Sequence, residues 1–237
     1  GRLRAITHLL AAESAHALQD KPVRDSHFQQ ALQHAAQRDV QDVRDGLHLR
    51  AARWAFDERD ATAALEWLDQ LPQGASRRTL ALRLRFKAAR LAGQNREALE
   101  VVRLLTKHRA FSEGAGRGLA IELVRSAHDP VQLTRAWDAL DTAERLMPDV
   151  AIEATERLLQ LGGEAPTARQ WLLPVWSAMT GSSDALALVQ RVRLVRVLEK
   201  SFGKGDGAPD TTWLGRIESA QMANPRDAAL QYLAGVV

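Results

Sequence analysis

Four basic residues recur at equivalent places in the helical pattern of this chain, namely Arg53, Lys87, Arg125 and Arg157. Each lies eleven residues before a small residue that opens the second helix of a predicted hairpin: Ala64, Ala98, Ala136 or Ala168. Arg83 and Arg90 lie four residues before and three residues after Lys87, so on a helix they extend the same face. Arginine and lysine pair well with carboxylates. We therefore expect these six residues to form one basic surface that binds an acidic ligand.

The other reactive side chains do not form an arrangement typical of an enzyme. The seven histidines are scattered, and His27 and His34 would lie two turns apart on one helix, too far for a single metal ion. The chain has no cysteine, which excludes disulfides, thiolate zinc sites and iron–sulfur clusters. Gly114, Gly116 and Gly118 lack the spacing of a phosphate-binding loop. We expect a non-enzymatic protein with no catalytic residue and no metal site.

Acidic residues and tryptophans both have structural interpretations. Asp57, Glu58 and Asp60 fall at a predicted turn, and Glu153 and Glu156 fall on a predicted helix, so caps and solvated faces account for them. The tryptophans recur about once per predicted hairpin, as packing residues between repeats should. They are at positions 54, 67, 137, 171, 176 and 213.

The basic residues are positioned by two similar helical hairpins over residues 45–110. The separation of their equivalent alanines, Ala64 and Ala98, matches the tetratricopeptide period of about 34 residues. Gly93 ends the first helix of the second hairpin, and Arg59 takes its place in the first. Each short helix pair can bury its apolar face only against the next pair, so the pattern predicts a stacked array. In tetratricopeptide folds the place of the basic residues on the first helix of each hairpin faces the concave side. The resemblance to that fold therefore implies that the six basic residues line a basic concave groove, whose wall strengthens each contact with an acidic ligand.

The whole chain fits an all-α fold. It has 237 residues, of which 46% are hydrophobic and 5% aromatic, and no run alternates with the period of a strand. We expect one domain over 1–237, a tetratricopeptide-like right-handed superhelix of about five hairpins. An entry hairpin is predicted over 3–38. Further hairpins are predicted over 45–74, 79–110, 117–147, 149–180 and 184–224, and another helix over 227–237.

The charge pattern argues against nucleic acid as a partner. The chain has 32 Lys and Arg against 29 Asp and Glu, and the two signs are interleaved along it. It contains no apolar run that reaches the length of a membrane helix, about 18 residues or more, so this chain is not expected to cross a membrane itself. It opens at Gly1 and ends on QYLAGVV, and we expect both ends to be cuts in a longer protein.

Several segments together carry a family resemblance: AAESAHALQDKPVRDSHFQQAL, RAWDAL followed by MPD, LGGEAPTARQWL, and RIESAQMANPRDAALQYLAGVV. In order and content they resemble the carboxy-terminal tetratricopeptide region of the HemY family, bacterial inner-membrane proteins associated with haem biosynthesis. The resemblance covers nearly all of the chain. It implies two amino-terminal membrane helices ahead of this region, which would itself be soluble and on the cytoplasmic side of the inner membrane.

The resemblance points to the haem pathway but to no particular reaction. We expect a scaffold that holds haem-pathway enzymes or their products near the membrane, with other proteins as its partners and no cofactor. The alternative is a module that binds a tetrapyrrole, haem or porphyrin, through an apolar pocket, basic residues and an iron ligand such as His27 or His128. A third hypothesis is an oxidase. The chain has no dinucleotide fingerprint for a flavin, which argues against that activity.

Overall fold

The computed structural model describes residues 1–36, 40–108, 112–203 and 208–237. All regular structure in these ranges is helical, which confirms the predicted all-α class. The chain divides into two compact units, Gly1–Ser112 and Glu113–Val237, and the single domain over 1–237 stays a prediction. The predicted hairpin ends at residues 38 and 110 lie outside the described residues. No helix in the described ranges combines the length and apolar character needed to cross a membrane.

Unit 1 consists of helix pairs. Its helices are α1 Arg2–Ala17, α2 Lys21–His34, α3 Gln41–Asp57, α4 Ala61–Asp69, α5 Gln73–Ser76, α6 Thr79–Leu91 and α7 Asn95–Lys107. Helix α1 packs on α2, α3 on α4 and α6 on α7. Helix α6 also packs against α3 and α4, so the second and third pairs stack on each other.

In each of the last two helix pairs of unit 1, the turn between the helices contains a residue with a left-handed backbone, just after the first helix ends. This residue is Arg59 in α3–α4 (φ 61°) and Gly93 in α6–α7 (φ 70°). The next N–H then donates to the carbonyl five residues earlier, at 2.8 Å from Asp60 to Ala55 and at 2.9 Å from Gln94 to Ala89. The separation of the two turns equals that of Ala64 and Ala98, so the backbone repeats with the period found in the sequence.

Small residues allow the paired helices to approach closely. Ala64, Ala88 and Ala98 are each 0% exposed. The aromatic side chain of Phe28 packs edge-on against Trp54 and Trp67, with ring centroids 5.6 and 5.5 Å apart. The core of unit 1 therefore combines alanines between helices, a few large rings and buried leucines such as Leu47, Leu68 and Leu105.

Unit 2 is organised around its fourth helix. Its helices are α8 Glu113–Arg125, α9 Pro130–Ala139, α10 Thr142–Arg145, α11 Pro148–Gln160, α12 Ala165–Gly181, α13 Leu188–Phe202, α14 Thr211–Ala223 and α15 Ala228–Val236. Helix α11 packs against α8, α9, α12 and α13. Trp137 stacks on Trp171 at 4.6 Å, and Trp176 meets Trp213 edge-on at 5.7 Å, so the predicted packing role of these tryptophans is confirmed.

Two predicted hairpins of unit 2 differ from the structure. The helix expected to run on to residue 147 ends at Ala139, because Asp141 starts a new short helix through a capping box with Glu144. In place of a simple 184–224 hairpin, α13 packs mainly on α11, α12 and α15, and α14 on α15. Buried Arg169 of α12 links the end of α13 to the start of α14, donating to the Ser201 carbonyl at 2.7 Å and pairing with Asp210 at 2.9 Å.

Candidate ligand-binding groove

Helices α3 and α6 of unit 1 form the walls of a groove of about 490 Å³, here called the basic groove. Its lining combines an apolar floor with a basic rim. The floor residues are Leu49, Phe56, Leu80 and Leu84, the basic residues are Arg50, Arg53, Arg83 and Lys87, and Gly46 and Asp57 complete the lining. Positive charge and uncovered apolar surface therefore lie side by side.

The groove is built from equivalent positions of two repeats. Its lining contains four pairs of positions that are one repeat apart, namely 46 and 80, 49 and 83, 50 and 84, and 53 and 87. Within each helix these positions follow the spacing i, i+3, i+4 and i+7, which places them on one face. The repeat period thus brings Arg53 and Lys87 to matching places on neighbouring helices.

Three of the four basic residues are available to a ligand. Arg53, Arg83 and Lys87 are exposed, and none of them forms an ion pair or hydrogen bond within the ranges that the structure describes. Arg50 is already engaged, since its Nε lies 2.7 Å from Oε1 of Glu13. The three cations outnumber Asp57, the carboxylate of the lining, so the groove has a net positive charge that attracts an anion.

The apolar floor was missed by reasoning from the sequence. Leu80 of this floor is 68% exposed, although leucine normally prefers burial. Leu49, Phe56 and Leu84 are half-buried and pack against the core between α3, α4 and α6. The signal was present, because Leu80 and Leu84 share a helical face with Arg83 and Lys87, yet the prediction considered only the charges on that face.

The other predicted groove residues have different surroundings. Arg90 is exposed on α6 but lies outside the groove lining, and it takes part in another interaction. In unit 2, Arg125 binds both carboxylate oxygens of Glu153, at 2.6 and 3.2 Å. Arg157 donates two hydrogen bonds to the Ala127 carbonyl, at 3.2 and 2.8 Å. Arg53, Arg83 and Lys87 are thus the predicted residues that the structure brings into one groove.

The sequence suggested that Glu153 and Glu156 lie on a solvated face of their helix. In the structure both are half-buried and form ion pairs. Glu153 and Glu156 both bind Arg193, at 3.2 and 2.7 Å, and Glu153 also holds Arg125. The hydrogen bond from Arg125 lowers the pKa of Glu153, and this outweighs the opposing effect of burial. This network of ion pairs joins α8, α11 and α13, and Arg125 has a structural role in it.

A second ion pair connects α2 with the end of α3 in unit 1. Arg24 is 8% exposed and pairs with Glu58, which Lys21 also contacts at 3.3 Å. Burial opposes the charge on Glu58, but the hydrogen bonds and charges of Arg24 and Lys21 outweigh it and lower the pKa of Glu58. Glu58 therefore helps to hold α2 against α3. Asp60 caps α4, as predicted, by accepting a hydrogen bond from the backbone N–H of Ala63 at 2.9 Å.

The histidines do not contribute to the basic groove. His8, His27 and His34 gather between α1 and α2, where Nδ1 of His8 and Nδ1 of His27 share a hydrogen bond of 3.1 Å. His128 lies in unit 2 and is exposed. Within the described ranges, no group of three or more His, Asp or Glu side chains could hold a metal ion.

One histidine is buried and incompletely hydrogen-bonded. His48 is 5% exposed and lies against Trp67, with ring centroids 5.7 Å apart. Its Nδ1 has no hydrogen-bond partner among the residues that the structure describes. Burial, together with the charge of Arg44, lowers the pKa of His48, so the neutral ring is favoured.

Comparison of the chain with protein-family models, curated proteins and solved structures found no match.

Proposed function

We propose that this chain is a non-enzymatic interaction module that binds an acidic partner protein in the basic groove. One observation carries the proposal: Arg53, Arg83 and Lys87 lie together over apolar surface without an acidic partner in the described part of the chain. Exposed like charges repel each other, so an arrangement of this kind is stabilised when an anion neutralises it.

We further propose that the fold is a tetratricopeptide-like superhelix. Two features support this: the stacked pairs α3–α4 and α6–α7, and the left-handed turns at Arg59 and Gly93 that recur at the repeat period. Stacked helix pairs commonly present an extended binding face, and the basic groove lies on the first helices of these two pairs.

The resemblance to the HemY family supplies the proposed setting. On this proposal the chain is the soluble region of a protein anchored in the inner membrane, and it holds haem-pathway enzymes through their acidic surfaces. The lining of the groove supports binding rather than catalysis, because it joins cations to apolar groups, and its one carboxylate, Asp57, has no lining histidine, serine or cysteine with which to form a nucleophile–base pair.

Tetrapyrrole binding is the second candidate function, and the apolar floor favours it. A porphyrin could place its ring against Leu80 and Leu84 and its propionates against Arg83 and Lys87. Neither His27 nor His128 lines the groove, so haem iron would receive no imidazole ligand from the lining. This candidate is tested by titration with protoporphyrin and with haem, followed by visible absorbance. Because the lining offers no imidazole to the iron, the two should bind equally well.

The leading proposal is tested with a fluorescein-labelled polyglutamate peptide and fluorescence anisotropy. Arg53→Glu/Lys87→Glu should abolish binding, whereas Arg4→Glu/Lys107→Glu makes the same charge change at exposed positions outside the groove and should retain most of it. Circular dichroism checks that both variants remain helical. Equal binding by the two folded variants would contradict the proposal. Arg125→Glu is unsuitable for this test because it would set a carboxylate against Glu153.

A further inference from the structure

We infer that the partner segment that enters the basic groove is amphipathic, with an apolar side chain that inserts between α3 and α6 and carboxylates on either side of it. This inference rests on the proposed function and specifies the chemistry of the ligand. A purely acidic segment would use only the rim of the groove.

The floor offers apolar surface that remains to be covered. Leu80 is 68% exposed, and Leu49, Phe56 and Leu84 are only half-buried beside it. Together these four side chains supply most of the non-basic lining of the groove. Covering apolar surface stabilises a complex in proportion to the area removed from water, so a ligand with an apolar group gains affinity that a polyanion lacks.

The length of the groove suits a segment of polypeptide. Along α3 the lining runs from Gly46 to Asp57, a distance of about 16 Å at the helical rise of about 1.5 Å per residue. On α6 the cations Arg83 and Lys87 are one helical turn apart and flank Leu84. A partner helix with carboxylates one turn apart beside an apolar side chain has matching periodicity, as in the binding of an amphipathic helix in a groove.

The two kinds of contact have different signatures. Ion pairs with exposed Arg53, Arg83 and Lys87 weaken as salt screens them, whereas apolar contacts do not. Binding should therefore retain a salt-resistant part when the ligand carries an apolar group. The same reasoning disfavours nucleic acid as the occupant, since a phosphate backbone has charge but no aliphatic side chain to place on the floor.

The experiment uses three labelled peptides of equal length, measured by anisotropy at low and high salt. The first has leucines flanked by glutamates, the second replaces the leucines with serine, and the third replaces the glutamates with serine. Each is titrated against the unmodified chain, Leu80→Ser and Leu18→Ser. Leu18 is 80% exposed and lies outside the groove, so it is a matched control for Leu80, and neither change removes a core residue.

The leucine–glutamate peptide should bind most tightly, and Leu80→Ser should weaken its binding about tenfold, a change that corresponds to about 1.4 kcal/mol. Leu18→Ser should leave it unchanged. Equal affinity of the leucine–glutamate and serine–glutamate peptides, or no effect of Leu80→Ser, would overturn the inference but leave acidic binding intact. If neither glutamate peptide binds, the proposed function fails as well. Single-stranded DNA is titrated in the same way, and tighter binding of DNA than of any peptide would overturn the inference.

Discussion

Replacement of Arg59 by glycine should stabilise unit 1. Arg59 has a left-handed backbone (φ 61°), which costs a residue with a side chain about 1–2 kcal/mol. Glycine removes that strain but also increases the entropy of the unfolded chain, which offsets about 0.4–1 kcal/mol of the gain. The net gain for Arg59→Gly should be about 0.5–1 kcal/mol.

Gly93→Ala is the matched reverse change in the next repeat. A Cβ at Gly93 would meet no heavy atom within 4 Å, so the substitution isolates the cost of the left-handed backbone (φ 70°). It should destabilise unit 1 by about 0.5–1 kcal/mol. Arg59→Ala keeps the strain and removes the arginine side chain, so it separates the two contributions of that residue.

The assay is urea unfolding followed by circular dichroism, with hydrogen exchange of α3 and α4 as the local readout. Two compact units can unfold in separate steps, so the exchange data assign the change to unit 1. If Arg59→Gly lowered the unfolding free energy, or Gly93→Ala raised it, the assignment of these two residues to equivalent turns would be refuted.

Three further predictions concern stability. The pKa of His48 is lowered from its ordinary 6.5, so as the pH falls the unfolded chain binds the proton before the folded chain does. The free energy of unfolding should therefore fall as the pH drops below 6.5. His48→Gln should flatten this dependence in urea unfolding measured at several pH values. The pKa of Glu153 is lowered from 4.5, so its contribution to the free energy of unfolding is complete above pH 4.5 and is lost as the pH falls through the pKa of the folded state. Glu153→Gln should abolish this loss of stability at acid pH. An unchanged acid dependence would contradict the ion-pair network of Glu153. Gly163→Ala should destabilise unit 2 by about 1–3 kcal/mol, because its Cβ would lie 2.6 Å from Leu158 Cγ, and unchanged thermal unfolding would refute this packing.

The sequence predicted the repeated part of unit 1 well, because local signals there agree. Ala64 and Ala98 mark equivalent buried positions, and Arg59 and Gly93 mark equivalent turns, so the repeat period could be found without knowledge of packing. The same period brings Arg53 and Lys87 to one groove, and that part of the basic pattern could be predicted.

The surroundings of the remaining cations could not be predicted, because they depend on contacts between distant segments. Arg125 binds Glu153, which is 28 residues further along the chain, and Arg157 binds the carbonyl of Ala127, 30 residues before it. A spacing rule gives the direction in which a side chain points from its helix but not whether another segment supplies an acceptor. The end of α9 was missed for a local reason, since the capping box at Asp141 and Glu144 was overlooked in the sequence.

The most direct test of the basic groove is a charge swap. Arg53→Glu/Lys87→Glu is measured by anisotropy against the leucine–glutamate peptide and against the same peptide with lysine in place of glutamate. The account predicts that the reversed groove loses the glutamate peptide and gains the lysine peptide, while the unmodified chain shows the opposite preference. An unchanged preference for glutamate in the folded variant would contradict the claim that Arg53 and Lys87 bind the acidic ligand.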